Sequence, residues 1–317
     1  MIKKYSSICA SVLIFQSMPV IAESTAVKTV DAFEQVFGVT AGERRNHTKG
    51  FCFTATLSPA GTAIQQYSAS PLFIQDSQVI GRLSHKGGNA QAADNVPAEY
   101  GMGLSISLSD GRQHRMSMNT LDFFPVATPE AFAELMQAKA QGKAAVKAFK
   151  ASNTDLQRFS AHSKQKTTQL TPYEASTYNS INSFYLVSEK GEKTAVRWAF
   201  VPRGLPGIVK PQAQDFFYKN MQQNMSDQQL AWDMVVTFAN PDDVVDNAAI
   251  AWTGDHKTLV AATLKVNAVS DQHPGTCGNI NYDPLLLSDG FLPSNDPLLQ
   301  ARRDAYAVSF GRRLSEQ

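Results

Sequence analysis

From Gly50 onward the chain repeatedly breaks into short runs in which apolar and small polar residues alternate, and this two-residue period limits the fold more than any other feature. Runs at 51–57, 78–84, 103–108 and 115–119 come first, the last two joined by the turn signal Ser109-Asp110-Gly111. Runs at 183–188 and 194–202 flank Glu189-Lys190-Gly191-Glu192, and two more cover 231–239 and 258–268. Eight antiparallel strands leave two unpaired edges unless the sheet closes on itself, so the pattern predicts a closed barrel. Helices are expected around it. Thr128-Pro129-Glu130 supplies a cap, a first-turn proline and an early acid ahead of Phe132, Leu135 and Met136, for a helix running towards Phe149. Pro211 opens another through Met225, residues 298–314 have helical character, and 151–182 reads as a polar surface excursion with short helical pieces. The fold class expected is α+β, an eight-stranded antiparallel β-barrel with inserted and C-terminal helices.

The N-terminus reads as an export signal. Lys3 and Lys4 precede an apolar run over 8–21, and Val20-Ile21-Ala22 predicts cleavage after Ala22, leaving a single domain over 23–317. Gln16, Ser17 and Pro19 interrupt the run, which is shorter than the roughly 20 residues a membrane span needs. Lys and Arg total 29 against 28 Asp and Glu, and removal of two lysines takes the formal charge from +1 to −1. No long-range field then draws the protein to nucleic acid or anionic lipid, so a small partner is expected, with no membrane contact after cleavage. In a Gram-negative source the destination is the periplasm. Cys9 leaves with the signal, and Cys52 and Cys277 either pair in that oxidising space or stay buried apart.

Several chemical signatures are absent: no GxxxxGK[ST], HExxH, GxSxG or EF-hand loop occurs, and Gly101-Met102-Gly103 lacks the third glycine of a dinucleotide fingerprint. Arg, His and Tyr cluster instead at the two ends of the chain, in Arg44-Arg45-Asn46-His47-Thr48-Lys49-Gly50 and in the segment 302–313. By itself the first reads as a solvated basic turn more often than as a site. Arg302 and Tyr306 stand four apart on a helix, where a guanidinium beside a phenol favours the phenolate, a hard anionic iron ligand; an exposed Arg lying along a Tyr ring is the plainer alternative. His85, His114, His162, His256 and His273 share no metal-ligand spacing and read as surface or loop residues, and Phe123, Phe124 and Phe132 as core rings of which one could line a site.

These segments resemble the haem catalase superfamily, most closely its small, exported catalase-related peroxidases, over nearly the whole mature chain. RRNHTKG resembles the motif around the distal histidine, which implies His47 as the acid–base residue and Arg44 as a haem-propionate contact. GRLS resembles the strand that carries a second propionate partner, Arg82, and the hydroxyl that orients the histidine, Ser84. GGNAQAADNVPAEYGMGLSI resembles the channel segment, with Asp94 as its acid, and MNTLDFFPVATPEAF the strand and helix start that follow. RRDAYAVSFGRR resembles the proximal helix, which implies Tyr306 as the axial iron ligand, Arg302 as the group that keeps it ionised and Arg313 as a third propionate contact.

The resemblance implies haem b as cofactor and a peroxidase that reduces hydrogen peroxide or organic hydroperoxides at the expense of a small reductant, with weaker catalase activity. The departures concern the distal side. The alignment puts Met118 where large catalases hold an asparagine, with Asn119 one residue on, so that Asn119 reaches the pocket only if the strand shifts register. Asn46 replaces a small apolar residue, and Tyr100 an arginine. A hydroperoxide-rearranging enzyme on the same barrel, of the allene oxide synthase kind, and a non-catalytic haem-binding barrel are the alternatives. Retention of both His47 and Ser84 speaks against the second, since storage needs only the proximal side.

Overall fold

A computed structural model of the chain describes residues 24–165, 169–204, 213–273 and 275–316. The segment read as an export signal and Pro211 lie outside them. The described strands are β1 (Gly50–Pro59), β2 (Ser77–His85), β3 (Tyr100–Ser107), β4 (Gln113–Asn119), β5 (Tyr178–Asn179), β6 (Phe184–Val187), β7 (Lys193–Pro202), β8 (Ala231–Phe238), β9 (Thr258–Ser270) and β10 (Phe291–Pro293). They form one antiparallel sheet in the order β10-β6-β7-β5-β4-β3-β2-β1-β9-β8, and a pairing of β7 with β8 closes it. The closed ring therefore has eight strands, as expected, but its membership differs by one. The run at 183–188, taken as a ring strand, is β6, which pairs with β7 and β10 outside the ring, and the two-residue β5 takes its place.

The register of β1 to β4 sorts every residue to one of two faces. Leu83, Met102 and Met118 pair in a row and point into the barrel, where they join a core that also holds Phe53, Leu104 and Trp232. Ser84, Gly101 and Asn119 form the next row and point outward. An outward face normally meets water and alternates with the core face, as β4 does. The last five residues of β2, Gly81 to His85, are instead all buried, because helices cover this end of the wall.

Those helices are α1 (Thr25–Phe37), α2 (Pro129–Gln141) and α6 (Pro297–Leu314), with α1 packed on both others. Thr128 caps α2, its hydroxyl accepting from the amide of Ala131, and Gly142 ends it before α3 (Lys143–Ser152), so the single helix expected towards Phe149 is two. The polar excursion carries α4 (Thr154–Gln165), and α5 (Phe217–Asp227) begins later than Pro211. Helix α1 was not anticipated from the sequence. The two cysteines pair: Cys52, outward on β1, is bonded to Cys277 in the segment between β9 and β10.

Candidate active site

The turn between α1 and β1 sends two adjacent arginines in opposite directions. Arg45 is buried in ion pairs with Glu34 (2.6 Å) and Glu316. Arg44 turns inward, its Nη2 donating to the carbonyls of Cys277, Gly278 and Ile280 at 3.2, 3.3 and 2.8 Å. Between them and His47, the Asn46 side-chain oxygen accepts from the amides of His47 (3.0 Å) and Gly87 (2.8 Å). That clamp holds His47 in the left-handed backbone region, φ 59°, which non-glycine residues seldom occupy. The His47 ring consequently lies on the outward face of β2 and β3, with Nδ1 3.1 Å from Ser84 Oγ.

Gly101 makes room for this ring. A Cβ there would stand 2.8 Å from both Cε1 and Nδ1 of His47. Burial, reinforced by the charges of Arg82, Lys86, Arg302 and Arg44, holds the imidazole pKa down at about 3. His47 is thus a neutral base at ordinary pH.

Helix α6 supplies the opposite side. Asp296 caps it, accepting from the amide of Leu298 (2.9 Å), and its other oxygen takes Asn182 Nδ2 (2.8 Å). Asn182 Oδ1 in turn accepts from Arg302 Nη1 (2.6 Å), while Arg302 Nη2 donates to the Ser117 carbonyl (2.7 Å) and reaches Tyr306 Oη at 3.5 Å. Ser117 Oγ lies 3.3 Å from the same phenol. Burial alone would raise the Tyr306 pKa, but the Arg302 charge, the two hydrogen bonds and the more distant Arg44 outweigh it, and the phenol is shifted down. Tyr306 and Arg302 are therefore an engaged pair, and the plainer reading of an exposed stack does not hold.

At one end of the site Arg44, Arg82 and Arg313 gather with no carboxylate bonded to any of them; the Glu43 charge acts on all three, its carboxylate accepting from the Gln272 side chain that also takes Arg82. Arg82 donates from Nε to Gln272 Oε1 (2.8 Å) and from Nη2 to the Thr48 carbonyl (2.9 Å), and Arg313 from Nη1 to the Gly278 carbonyl (2.6 Å). Nη1 of Arg44 and Nε of Arg313 are buried with no partner among the described residues. Burial lowers the pKa of all three, and the charges of Arg82 and Arg313 lower that of Arg44 further. Cations that repel one another in a buried site call for an anionic occupant.

All seven residues named from the sequence, His47, Ser84, Arg44, Arg82, Arg302, Arg313 and Tyr306, border one cavity with about 1400 Å³ of empty space counted out to its mouth. Phe33, Phe124 and Phe132 form an apolar part of its wall. Ser117, Asn182 and Tyr282 also border it and were missed. Ser117 was within reach, because it alternates with Asn119 on β4; Asn182 and Tyr282 sit in irregular segments whose sequence has no period to read.

Four expectations need correction. Asn119 faces the cavity with no register shift, in the row of Ser84 and Gly101; its Oδ1 accepts from the Leu121 amide (3.0 Å), and Nδ2 has no partner among the described residues. Met118, although it too borders the cavity, packs its side chain into the barrel core beside Met102. Asp94 does not border the cavity, because its carboxylate binds Lys49 (2.7 Å) and the amides of Phe216 and Phe217 (2.7 and 2.8 Å), and Tyr100 is buried inside the barrel. His85 and His114, read as surface or loop residues, are buried in strands on the core face.

No family model matches the chain. It is 34% identical over 302 residues to a catalase-related peroxidase of Synechococcus elongatus, an alignment covering 91% of this chain and 88% of the relative. The chain belongs to the catalase-related peroxidases. A second protein of that name, from Mycolicibacterium paratuberculosis, is 24% identical over 294 residues, covering 90% of this chain and 93% of its own. A crystal structure of a fungal catalase shares the fold, with a TM-score of 0.76 at 15% identity, over 97% of this chain and 66% of the fungal one.

Membership of the catalase superfamily implies a haem, and the cavity of this catalase-related peroxidase suits one. A phenol biased towards the phenolate offers an iron ligand, the buried and unpartnered Arg44 Nη1 and Arg313 Nε offer hydrogen bonds to carboxylates, and Gly101 and Gly103 let the His47 and Tyr282 rings lie close against the wall.

Proposed function

We propose that this protein is a haem b peroxidase that reduces hydrogen peroxide or organic hydroperoxides with electrons from a small donor. The observation that carries the reading is one cavity bordered by a neutral, hydroxyl-oriented His47 and by an arginine-activated Tyr306. In this reading Tyr306 is the iron ligand, tyrosine being the proximal ligand known from catalases. Arg302 keeps the phenol oxygen deprotonated, and Asn182 and Asp296 keep Arg302 in position. Arg44, Arg82 and Arg313 bind the two propionates through charge-assisted hydrogen bonds. Bound haem supplies the redox chemistry that cleaves a peroxide O–O bond.

The protein's own contribution is the movement of one proton. Neutral His47 takes it from one peroxide oxygen and returns it to the other, the leaving oxygen, so that the leaving group departs as water or an alcohol. Ser84 holds the ring through Nδ1, which leaves Nε2 for that exchange. Asn119 Nδ2 donates a hydrogen bond to the peroxide, so this chain retains the amide that its alignment had seemed to lack.

Export to an oxidising compartment such as the periplasm belongs to the same reading. It is supported by the signal-like residues 1–22 and by the Cys52–Cys277 disulfide.

The absorption spectrum of the purified protein tests the assignment. One haem b per chain with a phenolate-ligated ferric spectrum is expected, and Tyr306→Phe should lose the haem or that spectrum. An unchanged spectrum in the variant overturns the ligand assignment.

A further inference from the structure

Behind the cavity wall, on the core face of the same strands, lies a set of ionisable groups that the peroxide chemistry leaves unused. His85 and Tyr100 pair across β2 and β3 one residue beyond the Ser84–Gly101 pair and point into the barrel. His85 Nδ1 is 2.5 Å from the hydroxyl of Tyr173, and both residues are almost wholly buried. Its Nε2 faces Asp94 Oδ1 at 3.5 Å. That oxygen is 2.7 Å from Lys49 Nζ, which is 3.0 Å from the carboxylate of Asp215, 81% exposed. Ionisable groups therefore lie in sequence from solvent to Tyr173, hydrogen-bonded except across the 3.5 Å between His85 Nε2 and Asp94, where Nε2 has no hydrogen-bond partner among the described residues.

Asp94 is the carboxylate nearest Nε2, which favours the imidazole proton on that nitrogen and makes Nδ1 the acceptor of the Tyr173 phenol proton. Burial holds His85 neutral, its pKa down at about 4 despite Asp94, and pushes the Tyr173 phenol well up. The phenol is enclosed by the rings of Phe51, Tyr100 and Phe217, centred 5.4, 5.1 and 4.9 Å from its own. In such surroundings it does not ionise by simple acid–base exchange, since a bare phenolate is costly there. Loss of an electron together with the proton is another matter. The proton has a neutral base in contact, and no net charge is left on the ring.

We propose that Tyr173 is a redox-active tyrosine, which passes one electron through the β2–β3 wall to the peroxide-oxidised haem site while its phenolic proton moves to His85 Nδ1. Tyr173 then becomes a neutral radical, the haem site is reduced by one electron, and His85 becomes an imidazolium facing Asp94. A one-electron donor of the class that reduces the enzyme in turnover returns the electron, and the proton moves back to the phenol oxygen. The pair thereby holds one oxidising equivalent outside the cavity when no donor is bound. This rests on the peroxide reaction proposed above.

The test mixes the haem-loaded protein with hydrogen peroxide without a reductant, freezes it within milliseconds and records electron paramagnetic resonance beside the haem absorption change. A tyrosyl signal is expected, narrowed when the protein carries ring-deuterated tyrosine. Tyr173→Phe should abolish it and leave the first haem absorption change at the wild-type rate. His85→Gln keeps the phenol but removes the base and should lower the radical yield at least about threefold, which secures the assignment even where Tyr173→Phe fails to fold. A haem change without a tyrosyl signal, a signal that survives Tyr173→Phe, or a yield unchanged in His85→Gln overturns the proposal. No haem change with peroxide in the wild type overturns the peroxide reading itself and this inference with it.

Discussion

Inside the barrel, β2, β3 and β4 present Leu83, Met102 and Met118, none more than 4% exposed. One residue along each strand and facing the other way stand Ser84, Gly101 and Asn119, two polar side chains and a bare backbone against a cavity. The same strands serve both faces, and the pleat alone separates them. The inner row is stabilised by burial of carbon and sulfur. The outer row is also largely withdrawn from bulk water, yet it is covered by α1, α2 and α6 rather than filled, so its polar groups stay free to act. Mutations in the inner row should therefore register as stability, and those in the outer row as chemistry.

The largest separation is expected at His47. His47→Ala leaves the strands and their pairing in place, so haem content should be normal while the stopped-flow reaction with peroxide slows at least about a hundredfold. A rate equal to wild type would remove His47 from the acid–base role. Next comes the neighbouring pair on β4. Asn119→Ala should slow the peroxide reaction roughly tenfold, the order of one lost hydrogen bond to a reacting group, with little change in melting temperature. Met118→Ala should do the reverse, lowering stability by about 2–5 kcal/mol while the peroxide rate stays within about twofold. Denaturant titration and stopped flow on both variants decide it, and an exchange of the two outcomes would break the division between faces.

The smallest effect is with pH. His47 is held near a pKa of about 3, so the peroxide rate should stay flat from pH 8 to 5 and fall only as the imidazole takes a proton near that value. Stability should be less flat. In the unfolded chain an imidazole titrates near 6.5, whereas in the folded protein His47, His85 and His114 titrate at about 3, 4 and 3. Below about pH 6.5 the unfolded state binds more protons, so stability is lost progressively as pH falls towards those values. A rate that drops between pH 7 and 6 would show that the imidazole is not held neutral.

Most strands of the wall could be read from their period, and the site residues from three short motifs, because both signals are local. Where the reading failed, the deciding partner was distant in sequence. Asp94 resembled a channel acid by position, but Lys49 and the start of α5 hold it elsewhere. Met118 and Asn119 were assigned to the wrong faces because an alignment one residue out inverts a strand's sidedness completely. In the Arg44–Arg45 and Arg312–Arg313 doublets only the motif resemblance, and no property of the residues themselves, singled out Arg44 and Arg313. The structure makes the choice through Glu34, Glu316 and Asp31, which pair with Arg45 and Arg312 and leave Arg44 and Arg313 to the cavity. Strand β5 is too short to have a period at all.

Arg44, Arg82 and Arg313 donate their hydrogen bonds to neutral groups, and the Glu43 carboxylate, which acts on all three by charge alone and bonds to none of them, offsets their repulsion only in part. The folded chain thus carries an unfavourable electrostatic load that disappears when a dianionic group enters and that the unfolded chain, fully hydrated, never bears. Ligand binding and folding are consequently linked by mass action: whatever neutralises these arginines raises the melting temperature in proportion to the logarithm of its free concentration. The empty protein is the form most exposed to unfolding and proteolysis. Cofactor supply would then set how much of this protein persists, as well as how much of it is active.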